Sequence, residues 1–136
     1  MPRCRQPAIV AASELNDVGA LIQASVATSE ALQRYVLDLW DATQAPQRVG
    51  VEIEGVEMDR LMLAGASPRG TMALVRAARV VAWLAGRAHV VPDDVASVFP
   101  AVMGHRLFFS PLYEMRHAQI AAALTAQLLQ RVPTPR

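Results

Sequence analysis

The chain has 136 residues, enough for one packed domain. Hydrophobic residues make up 53 %, which supplies a core and excludes a disordered chain. With 13 basic against 12 acidic residues the net charge is +1, so no strong field exists to gather nucleic acid or an anionic membrane.

In chain order, residues 1–12 are expected as an N-terminal tail, 13–131 as one helical domain and 132–136 as a C-terminal tail. Cys4, in that first tail, is the single cysteine. It excludes an internal disulfide and fits a reducing compartment. Ala8–Ala12 is too short for a signal peptide, and no apolar run reaches the roughly 18 residues of a membrane span. A cytoplasmic protein is expected. Ser13 is the candidate cap of a helix over 14–24, with Leu15, Val18, Leu21 and Ile22 at helical spacing. Thr28 or Ser29 is placed to cap a second helix, whose stripe is Leu32, Tyr35, Val36, Leu39 and Trp40. It should end near Thr43, ahead of Pro46.

Residues 49–58 are the least helical. Val49, Val51 and Ile53 alternate with Gly50, Glu52 and Glu54, and Glu54-Gly55 could turn a small hairpin. A single helical turn over 58–62 is the competing reading. A long helix follows over 68–85, with Met72, Val75, Ala78, Ala82 and Leu84 among its apolar positions and Gly86 as its left-handed stop. Val91-Pro92-Asp93-Asp94-Val95 opens the next helix. Val91 cannot cap, but both aspartates suit the positive helix start. Pro100 predicts a break into pieces over 92–98 and 100–105. Leu107–Phe109 reads as an extended or buried linker. Ser110-Pro111 repeats the cap-plus-proline signal before a last helix over 112–130. The expected fold is all-α: a compact bundle of about five helices, with the hairpin near 49–58 as an optional excursion.

The candidate site is Gly65-Ala66-Ser67-Pro68-Arg69-Gly70. Ser67 is a good N-cap, and Pro68 falls where a missing N–H costs nothing. Arg69 then sits at a helix start, where positive charge is electrostatically misplaced. Unpaired N–H donors and a guanidinium fork at one spot suit a phosphate. The bland alternative is a solvated arginine.

These words recur in a known order. Gly65-Ala66-Ser67-Pro68-Arg69-Gly70, Arg76-Ala77-Ala78-Arg79, Leu84-Ala85-Gly86-Arg87, Val91-Pro92-Asp93-Asp94-Val95 and His105-Arg106-Leu107 resemble the lid subdomain of MoxR-type AAA+ ATPases. Weaker similarity runs from about Val10 to Val132-Pro133. The resemblance implies that Arg69 is the sensor-2 residue, reaching the terminal phosphate of ATP, with Ser67 and Pro68 beside it in the nucleotide contact. ATP and magnesium would be held by the core domain of such an ATPase. No Gly-x-x-x-x-Gly-Lys-Ser/Thr loop and no strand ending in paired acids occurs in these 136 residues, so this chain alone is not expected to hydrolyse ATP. The resemblance further implies a chaperone-like ring, with the core domain, neighbouring subunits and a client protein as partners. The alternative function is a freestanding helical interaction module with no nucleotide role. A DNA-binding helix-turn-helix is a third and weaker reading, opposed by the near-neutral charge.

Other residues carry less. Arg76 and Arg79 either line the same cleft, contact a neighbouring subunit or, as the favoured reading, pair on the surface with acids such as Glu114 or Asp59. Arg106 is read as buried and paired. His89, Asp93, Asp94, His105 and His117 lack a metal-ligating spacing, and no metal is expected. Ser67 and Ser110 have no nucleophile elbow, and Trp40 and Trp83 read as core or interface residues.

Overall fold

The computed structural model describes residues 9–136. The expected tail 1–12, with Cys4, lies largely outside them. Among the described residues six α-helices build the fold: α1 (Ala12–Ser25), α2 (Glu30–Gln44), α3 (Met58–Leu61), α4 (Pro68–Leu84), α5 (Pro92–Met103) and α6 (His117–Arg131). Short 3-10 turns cover Pro46–Val49, Gly104–Arg106 and Pro111–Arg116. Two short strands, β1 (Met62–Ala64) and β2 (Phe108–Phe109), pair antiparallel, with Met62 opposite Phe109 and Ala64 opposite Phe108.

One apolar core runs through the bundle. Leu39 of α2, Leu74 and Ala78 of α4, Phe99 and Met103 of α5, and Leu124 and Leu128 of α6 are all fully buried. The α4–α5 interface is the most extensive. Its chemistry is visible in α4, whose buried positions Gly70, Leu74, Ala78 and Ala82 recur every four residues. Three of the four are small, which lets α5 approach closely. Met72 and Leu84, expected among the apolar positions, are instead largely exposed.

The local signals held in several places. Ser29 caps α2, its hydroxyl accepting from Leu32 N–H at 3.1 Å. Gly86 adopts φ 76° just past α4. The single turn expected near 58–62 is α3.

Other expectations are corrected. No hairpin forms over 49–58. The Glu54-Gly55 turn exists, with Gly55 at φ 74°, but its flanks do not pair. Their backbone groups go elsewhere: the Gln127 side chain donates to Glu52 O and accepts from Glu52 N–H, and Tyr113 Oη accepts from Glu57 N–H. The small sheet is made by β1 and β2, far apart in sequence. Ser13 does not cap α1, which starts two residues earlier than expected, at Ala12 behind Ala11. The chain after Ser110 begins as 3-10, so α6 starts at His117 rather than 112.

Pro100 does not break α5. Its missing N–H and ring cost about 3 kcal/mol in a helix interior. Val95, Phe99 and Met103 lie on one face at four-residue spacing, and all are fully buried. Each large apolar side chain contributes about 1.5–3 kcal/mol on burial. A break at Pro100 would forfeit that face, so packing wins.

Candidate functional site at the start of α4

The approach to α4 is held from α2. Trp40 Nε1 donates to Ala66 O at 2.7 Å, and Gln44 Nε2 donates to the same oxygen at 2.9 Å. Ala66 N–H donates to the buried Thr43 Oγ1 at 3.2 Å, while that hydroxyl donates to Trp40 O at 2.6 Å. Both polar groups of Ala66 are thereby satisfied by one turn of α2. Gly65 lies so close that a Cβ there would stand 2.8 Å from Thr43 O and 2.6 Å from Gln44 Nε2. Gly70 sits against Met103 and Arg106 of the α5 end. Both glycines of the motif therefore admit close neighbours.

Between these anchors, Ser67, Pro68 and Arg69 stand together on the surface. Ser67 occupies the N-cap with extended backbone, φ −69° and ψ 160°, and its carbonyl accepts from Gly70 N–H at 2.8 Å. Its hydroxyl makes no capping bond, contrary to the expectation from its type. Thr71 Oγ1 donates to Pro68 O at 2.6 Å instead. Arg69 is exposed and makes no hydrogen bond or ion pair with any described residue; the ion pairs among them are Arg34–Glu30, Arg60–Glu57 and Arg87–Asp94. No acid in the first turn of α4 neutralises it.

Arg76 and Arg79 follow Arg69 on the same flank of α4 at seven- and ten-residue spacing. Neither pairs with Glu114 or Asp59. Arg79 reaches α1 and the loop after it, donating to Gln23 Oε1 at 3.3 Å and Thr28 Oγ1 at 3.4 Å. Arg106 is half-buried and donates through Nε to Val102 O at 3.1 Å, closing the end of α5 rather than pairing with an acid. Trp83 is partly exposed, and Trp40 is the clamp just described.

Two features had no weight in the sequence reading. The first is the Trp40–Thr43–Gln44 clamp; nothing in the stripe of α2 marks its last turn as the support for Ala66. The second is Arg87–Asp94. Arg87 spans Asp94 with two bonds of 2.6 Å, and Asp94 Oδ2 also accepts from Val91 N–H at 2.8 Å. Asp94 thus supplies half a capping box that Val91 cannot reciprocate. Hydrogen bonding from Arg87 holds the Asp94 carboxyl below its usual range; burial opposes this and the Val91 N–H assists. The Asp94 position, three residues past a helix entry, was the available signal.

Residues 59–125 match the family model described as AAA lid domain. The chain is a MoxR-like AAA+ lid region. Over 121 residues it is 46 % identical to Protein MoxR of Methylorubrum extorquens, covering 89 % of this chain and 35 % of that one. It is 45 % identical to Protein MoxR of Paracoccus denitrificans over 121 residues, covering 89 % and 36 %. A crystal structure described as that of a candidate ATPase from Cytophaga hutchinsonii superposes with a TM-score of 0.71 at 27 % identity, over 85 % of this chain and 34 % of that chain. The lid spans about a third of the length of the curated relatives it matches.

The family implies ATP and magnesium for a full protein. Among the described residues of the lid, no cluster of three or more His, Cys, Asp or Glu could hold a metal ion. No described helix is long and apolar enough to cross a membrane. What the lid offers toward a phosphate oxygen is the guanidinium of Arg69, unpaired among the described residues; of the first-turn N–H groups of α4, Pro68 has none and that of Gly70 is taken by Ser67 O at 2.8 Å.

Proposed function

We propose that this lid works with an ATP-binding module and supplies Arg69 as its sensor-2 arginine, within a chaperone-like ring ATPase. The observation that carries this is the state of Arg69. It is an exposed cation at the helix start, unpaired among the described residues, on a turn clamped by α2 through Ala66. A charge in that place opposes the helix dipole until an anion meets it. An arginine offered to a terminal phosphate stabilises the charge that develops during phosphoryl transfer, without acid–base chemistry. Ser67 and Pro68 shape the turn that presents it. The partners are the ATP-binding module, neighbouring subunits of the ring and a client protein. A freestanding interaction module would have no use for a solvent-held cation on a clamped turn, which favours the first reading.

The test uses a chimera in which this chain replaces the matched 121 residues of Methylorubrum extorquens MoxR. Arg69→Ala should lower ATP turnover by about 100-fold, the range for losing one charge-stabilising donor. Arg69→Lys should recover only part, because a point charge cannot make the forked contact. Unchanged turnover in Arg69→Ala overturns the proposed role.

A further inference from the structure

The exposed flank of α4 faces an open groove of about 320 Å³ between α2 and α4. Its apolar lining comes from Val36 and Leu37 of α2 with Met72 and Val75 of α4. Leu37 and Met72 are 54 % and 66 % exposed, so this apolar surface is unspent by the bundle. Arg76 and Arg79 complete the wall. Neither has a carboxylate partner among the described residues. Arg79 is half-buried, and its Nε is fully buried with no acceptor. Its outer nitrogens find only neutral oxygens at 3.3 and 3.4 Å. The buried Nε is out of reach from the groove, but a partly desolvated guanidinium whose outer nitrogens hold only long bonds to neutral oxygens is under-satisfied, and a carboxylate reaching those nitrogens is the group that answers it. The cleft on the other flank of α2 differs: Asp38 and Asp41 there line the same walls as Arg48 and Arg131, so it carries both signs itself.

We infer that the α2–α4 groove seats an acidic, apolar-anchored segment of the ATP-binding module, whose carboxylate pairs with Arg76 and Arg79. This rests on the reading that the lid works with such a module. The occupant is argued from charge and shape together. Two unpaired cations beside an apolar floor call for an amphipathic strand or helix with an acid near its anchor. Nucleic acid is disfavoured, because two cations on an apolar floor supply few phosphate contacts. The groove starts within a turn of Arg69. Seating the segment would therefore fix the azimuth of α4 and aim Arg69, so docking and phosphate contact would be coupled.

The test reads accessibility of the groove in the same chimera. With Cys4→Ser as background, Met72→Cys places a single thiol of this chain on the exposed rim. Its maleimide labelling rate is compared with that of a reference thiol at Arg34→Cys, on the solvent face of α2, in the isolated chain and in the chimera. The expected result is slowing of at least tenfold at position 72 in the chimera alone, reversed by Arg76→Glu and weakened by raised salt. Arg76 is exposed and its side chain holds nothing in the bundle, so this variant should keep the fold; Leu37→Asp is the second variant, with the same expected reversal. Equal labelling in chain and chimera overturns the inference. So does slowing that Arg76→Glu leaves intact, and so does slowing produced by ATP on the isolated chain, which would make the groove a nucleotide site. Arg69→Ala separates the two readings: lost turnover with an open groove sinks only the docking segment, and a covered groove with unchanged turnover sinks only the sensor role.

Discussion

At the scale of single residues, two charged groups are used in opposite ways. Arg69 has no counter-charge among the described residues and stands at a helix start, where a cation opposes the helix dipole. Asp94 is 3 % exposed and fully engaged, by Arg87 and by Val91 N–H. Because the folded carboxyl titrates below its ordinary value, its contribution is complete above that ordinary value, about 3.9. It is lost as pH falls through the lower folded value. Asp94→Asn removes charge-assisted bonds while keeping the shape. It should cost about 2 kcal/mol at pH 7, within the range for hydrogen bonds to charged groups. Denaturant titration at pH 7 and pH 3 checks this: the gap between wild type and variant should narrow at the lower pH. A gap that does not change with pH would show that the aspartate acts by shape alone.

At the scale of elements, α4 and α5 work as a pair joined by a tight turn. Gly86 stops α4, and Arg87 reaches forward to Asp94 in the first turn of α5. A bridge between Ala27 and His89 ties this turn to the loop between α1 and α2. The α5 helix then passes through Pro100 because its buried face is worth more than one backbone bond. Pro100 is exposed, so its ring contributes little to the core. Pro100→Ala should restore a bond to Ala96 O and relieve the ring clash, partly offset by a freer unfolded chain. A net gain of about 1 kcal/mol is expected, read as a rise of roughly 3–5 °C in melting temperature. A fall instead would mean that the proline pre-forms the last turn of α5, where Gly104 N–H donates to Pro100 O.

At the scale of the whole molecule, the site depends on contacts between segments distant in the chain. The last turn of α2 holds Ala66, and Ser110 N–H donates to Leu61 O beside the β1–β2 pair. The end of α5 packs on Gly70. The turn that carries Arg69 is thus held by residues that make no hydrogen bond to its side chain. Gly65→Ala tests this hold. The added methyl would press on Thr43 O, a backbone atom that cannot rotate away, at a cost of about 2 kcal/mol. Melting should drop accordingly, and ATP turnover of the chimera should fall although Arg69 remains. Turnover at the wild-type level would show that the clamp does not set the position of Arg69.

Local chemistry in the sequence determined the starts and stops: a serine that caps α2, a proline that opens α4, a glycine that ends it, and the surface position of Arg69. These depend on neighbours within one helical turn, yet the same kind of signal misled at Ser13, which does not cap α1, at Ser67, whose hydroxyl makes no cap bond, and at Ser110-Pro111, which opens a 3-10 turn and not α6. Where interactions at long range competed, the local reading failed. The alternation over 49–58 gave no hairpin because Gln127 and Tyr113 took its backbone groups, and Pro100 gave no break because Phe99 and Met103 were already committed to the core. The favoured reading of Arg76 and Arg79, surface pairing with acids such as Glu114 or Asp59, failed, because neither makes an ion pair among the described residues. Only the packed bundle decided that they border an apolar groove without a carboxylate, because a missing partner is a property of the whole surface.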